Sequence, residues 1–252
     1  LSPNRTICIL AKASDLNMKK RRKKNIDKNF FMSDLLELQD IHLNYKTEST
    51  AVEVIRGVSL KINSNESVAI VGKSGSGKTS LIMLIAGLEC PNSGKIIFEG
   101  EDISQYSEDR LADIRKRKIG IVFQSFYLIP NYTALENVSL VLEINKVPDA
   151  KKKSMELLEQ LGLKDRINHF PSQLSGGEQQ RVAIARSIVL NPKLILADEP
   201  SGNLDSENSK LIMSLLFKYC KQNGSSLVLV THDQMLAKEC DRIIEIKDGK
   251  II

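Results

Sequence analysis

The chain carries the segment Gly72-Lys73-Ser74-Gly75-Ser76-Gly77-Lys78-Thr79, which follows an apolar run at 68–71 and precedes another at 81–86. The two runs predict a buried strand and a buried helix, with the glycine-rich segment joining them. Because glycine has no Cβ atom, this backbone can curl and direct successive N–H groups into one concavity. Those donors, the helix N-terminus and the Lys78 ammonium suit a polyphosphate, and the Thr79 hydroxyl suits Mg²⁺. The segment therefore predicts a nucleoside triphosphate site rather than a turn that only joins two elements.

Length and composition indicate a globular protein. The chain has 252 residues, of which 42% are hydrophobic, enough for one large domain or two small ones. No apolar stretch approaches the ~18 residues that span a bilayer, so we expect any membrane part to lie on another chain. Cys8, Cys90, Cys220 and Cys240 are far apart in the sequence, which favours reduced thiols over a disulfide or zinc framework.

The net charge of +5 is concentrated at the start of the chain. Residues 1–34 hold nine basic and three acidic residues, which leaves 27 basic and 28 acidic residues in 35–252. The nearly neutral body gives no support for nucleic-acid binding. The basic block at 19–24 is open to interpretation as a nuclear-localisation or nucleic-acid arm, whereas a secretory signal fits poorly because no apolar segment follows it. We expect residues 1–34 to be a disordered tail or a non-native extension, with Met32 as the natural start and the folded domain over 35–252.

The pattern after residue 34 alternates strands with helices. Strands are predicted at 35–45, 52–62, 68–71, 95–98, 119–123, 194–197, 227–230 and 243–246, with a hairpin at 247–250. Helices are predicted at 81–86, 107–117, 178–190 and 206–222, with Ser107 as an N-cap. Two further helices, at 134–144 and at 148–161 with Pro148 near its first position, indicate an inserted helical subdomain at about 130–172. The sequence predicts an α/β fold: a P-loop NTPase core with a mostly parallel sheet, an N-terminal antiparallel β portion and this helical insertion.

Two adjacent carboxylates follow the buried run at 194–197. Open α/β sheets bind ligands at the carboxyl ends of their parallel strands. There Asp198 suits the coordination shell of Mg²⁺, directly or through water, and Glu199 is free to polarise an attacking water. A solvated loop start would explain the pair equally well alone, but the glycine-rich segment favours the catalytic interpretation.

A second anion-binding helix N-terminus is predicted at Leu174-Ser175-Gly176-Gly177-Glu178-Gln179-Gln180. One nucleotide does not need two phosphate sites from one subunit. With these motifs the sequence resembles the ATP-binding subunits of ABC transporters, over residues ~35–252. The resemblance implies that two copies pack head to tail, each nucleotide lying between one copy's glycine-rich segment and the other's Leu-Ser-Gly-Gly segment.

The resemblance also implies roles for isolated side chains. Gln124 resembles a glutamine that touches Mg²⁺ and moves with the transmembrane partner, His232 a histidine that contacts the γ-phosphate, and Tyr45 an aromatic that stacks on adenine. Residues 201–205 resemble a dimer-contact loop. Without the resemblance, His232 and Tyr45 would be ordinary residues at strand ends. The ligands implied are ATP and Mg²⁺, with Glu199, His232 and Lys78 catalytic and Thr79, Gln124 and Asp198 at the metal. The nucleotide contacts implied are Tyr45, Gly72, Ser74, Gly75, Ser76, Gly77, Lys78, Thr79, Ser80, Gln124, Ser175, Gly176 and Gly177.

Residues 123–130 and 133–138 resemble the branch of the family that powers lipoprotein release and macrolide-type export, although a related branch acts in cell division. Ser201 stands where threonine is usual, and Lys78-Thr79-Ser80 replaces the commoner Lys-Ser-Thr. Neither change removes a needed functional group. The resemblance implies an ATPase that drives transport through a separate integral membrane permease, at the cytoplasmic face of the inner membrane, with no nucleic-acid partner.

Three rival functions share part of this pattern. A GTPase or kinase would share the glycine-rich segment but needs no Leu-Ser-Gly-Gly motif before a helix. A soluble ABC ATPase acting on nucleic acid or ribosomes usually has long coiled-coil insertions or two ATPase halves in one chain, and this sequence shows neither. A non-catalytic regulatory binder is disfavoured by the presence of Glu199 and His232.

Overall fold

The computed structural model describes residues 34–46 and 51–252, so the predictions for the basic tail and for Met32 lie outside the described residues. The described strands are β1 (Asp34–Lys46), β2 (Ala51–Asn63), β3 (Ser67–Val71), β4 (Ser93–Phe98), β5 (Glu101–Asp102), β6 (Ile119–Phe123), β7 (Leu194–Asp198), β8 (Ser226–Val230), β9 (Arg242–Lys247) and β10 (Lys250–Ile251). The described α-helices are α1 (Lys78–Ile85), α2 (Glu108–Lys118), α3 (Ala134–Ile144), α4 (Ala150–Gln160), α5 (Gly176–Ile188), α6 (Ser206–Asn223) and α7 (Gln234–Ala237), and Lys164–Arg166 and Pro171–Gln173 are 3₁₀ turns.

One sheet carries the glycine-rich segment. Its strands lie in the order β10-β9-β3-β8-β7-β6, and every neighbouring pair is parallel except β9 with β10. Strands β7 and β8 are buried along their whole length, as expected for parallel strands covered on both faces. The register pairs Asp198 with Phe123 on one side and with Val230 on the other. The residues that follow these three strand ends therefore meet at one edge of the sheet.

A second sheet, in the order β2-β1-β4-β5, is antiparallel. One core joins the two sheets, since Leu36 and Ile55 of the antiparallel sheet belong to the same buried cluster as Ile82 of α1 and Val228 of β8. Burial of such side chains stabilises the fold by roughly 1.5–3 kcal/mol each. The glycine-rich segment is thus anchored between two sheets that share a core.

Helices α3 and α4 and the residues before α5 lie at the position of the predicted helical insertion. Their own buried cluster includes Val138, Leu158, Leu174 and Val182. Thr133 begins α3 with a reciprocal capping box to Glu136, which satisfies two backbone N–H groups at the helix start. Within the described part of the chain, no helix combines the length and apolar character that a membrane crossing requires.

The predicted fold class is confirmed, with local corrections. The prediction that Pro148 lies near the first position of its helix is wrong: α4 begins at Ala150, because Asp149 adopts a left-handed conformation (φ 57°) as its N-cap. The short strand β5 and the helix α7 were not predicted. Helix α5 begins at Gly176, two residues before the predicted start, because Ser175 is its N-cap.

Candidate active site

A cleft of about 500 Å³ opens at the carboxyl ends of the parallel strands. Its walls come from β2, the glycine-rich segment with the start of α1, and the residues that follow β6, β7 and β8. The lining residues are Val54, Gly72, Ser74, Gly75, Gly77, Lys78, Thr79, Ser80, Gln124, Asp198, Glu199, Val230 and His232. The structure therefore brings four motifs that are separate in the sequence around one space.

Lys78 is folded back onto the segment that precedes it. Its Nζ atom donates to the backbone carbonyl oxygens of Gly72 and Lys73, each at 2.9 Å. These bonds hold the ammonium group at the loop, next to the N-terminus of α1. Ser76, a residue of this segment, is buried and does not line the cleft. The arrangement concentrates positive charge and backbone donors where a polyphosphate would bind.

Thr79 and Asp198 form the corner of the cleft where the sequence predicts Mg²⁺. The Thr79 hydroxyl donates to Oδ2 of Asp198 at 2.9 Å, and Gln124 lines the same cleft. Burial raises the pKa of Asp198 above its ordinary value; the Thr79 hydrogen bond opposes this shift, Glu199 adds to it and Lys78 opposes it. Hydroxyl, carboxylate and amide oxygens are ligands that Mg²⁺ accepts, and the first two lie close enough to share one ion. The donor set fits the predicted metal.

Glu199 and His232 form a pair at the edge of the cleft. Nδ1 of His232 lies 2.8 Å from Oε2 of Glu199. The Glu199 backbone is left-handed (φ 47°), a conformation that residues other than glycine seldom adopt, and its N–H donates to the carbonyl of Val230. The pair joins a carboxylate that can act as a base to an imidazole that can orient it.

Gln124 is tied to the loop after β7. Its Nε2 atom donates to Oδ1 of Asn203, and Nδ2 of Asn203 donates to the carbonyl oxygen of Gln124, both at 3.1 Å. The sequence placed these residues in different motifs and did not predict their contact. Val54 and Val230 were also missed, because an apolar side chain that lines a polar cleft carries no chemical signal of its own.

The Leu-Ser-Gly-Gly segment lies elsewhere on the chain. Ser175 is the N-cap of α5: its hydroxyl accepts from the N–H of Glu178, and Oε2 of Glu178 accepts from the N–H of Ser175. Ser175 and Gly176 are exposed and Gly177 is buried, and none of the three lines the cleft. Tyr45 is 40% exposed and does not line it either. The structure does not bring these four predicted residues to the other site residues of the same chain.

Comparison with known proteins places this arrangement in a family. The model of the ABC transporter family matches residues 55–202. An uncharacterized ABC transporter ATP-binding protein of Thermotoga maritima is 46% identical over 222 residues, which cover 87% of this chain and 94% of that relative.

Solved structures agree with the sequence match. The bacterial ABC transporter cassette MJ0796, solved as a dimer, is 41% identical with a TM-score of 0.81 and covers 86% of this chain and 96% of its own. The same cassette has been solved in a post-hydrolysis state bound to ADP and Pi. The protein cbiO1 of Clostridium perfringens, part of the transporter complex cbiONQ, is 30% identical with a TM-score of 0.77 and covers 87% of each chain. The chain therefore belongs to the ABC transporter family, as an ATP-binding subunit.

Proposed function

We propose that this subunit hydrolyses ATP to drive transport through a separate membrane permease, and that two copies act head to tail. The observation that carries the proposal is the separation of the cleft from the exposed N-terminus of α5. The cleft supplies the donors of one phosphate site, whereas Ser175 and Gly176 form a second helix start of the kind that binds anions. A second copy in head-to-tail orientation would supply the Leu-Ser-Gly-Gly segment to each cleft.

Binding of the triphosphate would depend on charge. The Lys78 ammonium, the N–H groups of the glycine-rich segment and the start of α1 would stabilise the negative charge on the β- and γ-phosphates, the main requirement of phosphoryl transfer. Thr79 and Asp198 would hold Mg²⁺ with Gln124 nearby, and the ion would neutralise phosphate charge when bound. Tyr45 would stack on the adenine ring.

Hydrolysis would use the carboxylate of Glu199. The water oxygen attacks the γ-phosphorus, the bond from that phosphorus to the bridging oxygen of ADP breaks, and the water proton passes to Glu199. His232 would hold the carboxylate in place from its 2.8 Å contact and approach the γ-phosphate. The products are ADP and phosphate, the ligands with which the MJ0796 cassette has been solved.

Coupling to transport would follow from the loss of the γ-phosphate between the two copies. The dimer would then open, and the loop after Gln124 with the helical insertion would pass the motion to the permease. Support for such partners comes from two relatives, one solved as a dimer and one described as part of a multi-component transporter complex. The subunit would work at the cytoplasmic face of the membrane. The resemblance of residues 123–130 and 133–138 favours a cargo of the lipoprotein-release or macrolide-export kind, with the related cell-division branch as the alternative.

The test of the catalytic assignment is the Glu199→Gln variant. We expect it to bind ATP as the wild type does and to release phosphate about 10²–10⁴-fold more slowly, because the amide cannot accept the water proton. Glu156→Gln, the same chemical change at an exposed position of α4, is the matched control and should hydrolyse ATP normally. Wild-type turnover in the Glu199→Gln protein would remove Glu199 from its role. Vesicles that contain the permease should then transport cargo with the wild type and fail to do so with Glu199→Gln.

A further inference from the structure

The turn between β9 and β10 rests on the glycine-rich segment. The N–H of Gly249 donates to the carbonyl oxygen of Ser76 at 3.1 Å, and the carbonyl of Gly249 accepts from the N–H of Arg56 at 2.8 Å. One residue of the turn, Gly249, thus connects the glycine-rich segment (the loop below) to strand β2 of the other sheet. The sequence predicts the hairpin from Asp248-Gly249 but gives no sign of this contact.

Two glycines mark close backbone contacts of the hairpin, one with β2 and one with the start of the loop. Gly249 has φ 77°, and a Cβ atom there would lie 2.4 Å from the carbonyl oxygen of Val54, a residue that lines the cleft. At the start of the loop, a Cβ atom on Gly72 would lie 2.2 Å from the carbonyl oxygen of Ile246 in β9. Backbone therefore packs on backbone at both places: the turn packs on β2, and β9 packs on the start of the loop, where it limits the change of shape open to Gly72.

The bond from Gly249 fixes the orientation of one peptide group. A trans peptide is planar, so the carbonyl of Ser76 and the N–H of Gly77 point to opposite sides. Ser76 is buried and its carbonyl accepts the hydrogen bond from the hairpin, whereas Gly77, the N-cap of α1, lines the cleft. The N–H of Gly77 consequently points away from the hairpin, and the residue that carries it lines the cleft.

We propose that Gly249 is a positioning residue for the nucleotide: its N–H holds the Ser76–Gly77 peptide so that the N–H of Gly77 is available to a phosphate oxygen. This role rests on the proposed binding of the triphosphate at the cleft. A hairpin that served only to close the sheet would affect the stability of the fold and leave nucleotide affinity unchanged. The ADP affinity of a variant at Gly249, compared with that of a control variant that is also destabilised, therefore separates a positioning role from a purely structural one.

A pair of alanine substitutions makes the first test. Gly249→Ala and Gly100→Ala both place a Cβ atom on a backbone with positive φ, but the one at 100 meets open space. Both variants should lose thermal stability, and only Gly249→Ala should bind ADP more weakly, by about tenfold, in calorimetric titration without turnover. Equal ADP affinities for the two variants would overturn the positioning role. Absence of ADP binding by the wild type would instead overturn the proposed function.

A backbone substitution tests the donor itself if Gly249→Ala does not fold. Cys240 allows ligation of residues 1–239 to a synthetic peptide of residues 240–252. An ester in place of the amide at Gly249 deletes its N–H, and an ester at Ile252 deletes the N–H that donates to the carbonyl of Glu245 in the same hairpin. The ester at 249 should weaken ADP binding about tenfold, and the ester at 252 should leave it unchanged. Identical affinities for the two ester proteins would contradict the proposal.

Discussion

His232 and Glu199 meet at 2.8 Å although 33 positions separate them in the chain. They follow the adjacent strands β7 and β8, whose register pairs Asp198 with Val230. The His232 side chain is 75% exposed and that of Glu199 only 19%. The imidazole therefore holds the carboxylate from the solvent side, and the carboxylate faces the cleft.

Removal of the imidazole should reduce the rate of hydrolysis more than nucleotide binding. We expect His232→Ala to lower kcat about 100-fold, within the range for a positioned acid–base group, with ADP affinity within twofold of the wild type. Steady-state phosphate release and calorimetry measure the two quantities. His169→Ala, in the helical insertion, is the control and should keep the wild-type rate. A His232→Ala protein with normal kcat would show that the pair has no catalytic role.

Neutralising Asp198 should stabilise the nucleotide-free protein while it abolishes Mg²⁺-dependent turnover. Burial raises the pKa of this carboxyl, so the charged form is unfavourable in the folded state. Asp198→Asn removes the charge, and its amide oxygen can still accept from the hydroxyl of Thr79. We expect a higher Tm than the wild type near neutral pH.

The pH dependence of that difference follows from the direction of the shift. A raised pKa means that the folded wild type binds a proton more readily than the unfolded chain, so its stability falls as the pH rises through the folded pKa. The advantage of Asp198→Asn should therefore be present above that pKa and vanish below the ordinary value of 3.8. Calorimetric Tm values from pH 8 to about pH 3 test this. A variant less stable than the wild type at pH 8 would contradict it.

The reciprocal bonds between Gln124 and Asn203 predict that the two residues act as a unit. We expect Gln124→Ala and Asn203→Ala each to slow hydrolysis, and the double variant to be little slower than the more damaging single change. The coupling free energy should be at least ~0.5 kcal/mol, as for residues in one hydrogen-bond network. The rates of phosphate release from the wild type, the two single variants and the double variant give this coupling free energy. Strictly additive effects would mean that the contact does not matter to turnover.

Strands and helices were predictable where the local pattern of apolar and polar residues alone indicates the type of element. Strand β6 and helix α3 lie where the pattern places them, because a short apolar run and an amphipathic run can each be recognised from the local sequence. The start of α4 was not predictable, because a left-handed aspartate leaves no mark in the pattern. The two-residue strand β5 exists only through pairing with β4, which a local pattern cannot report.

The same division holds for the site. Lys78, Asp198 and Glu199 could be proposed from the sequence because a phosphate or a metal demands those groups at strand ends, and the structure places all three at the cleft. The contacts of Asn203 with Gln124 and of Gly249 with Ser76 join segments 79 and 173 positions apart, through groups that are common in loops. Only the folded chain shows that these segments meet. The roles of all the predicted site residues stay predictions, including those of Tyr45, Ser175, Gly176 and Gly177, which do not line the cleft.

The claim that two copies share each ATP is tested most directly by the mass of the Glu199→Gln protein in solution, by light scattering after gel filtration. With Mg-ATP the mass should be close to twice the 28.1 kDa of the single chain, and without nucleotide it should be that of the single chain. A second change, Ser175→Arg, should prevent this doubling while leaving nucleotide binding at the cleft intact. The claim would be contradicted by a Glu199→Gln protein that binds Mg-ATP, keeps a mass of 28.1 kDa on its own and does not form a dimer when it is mixed with the permease.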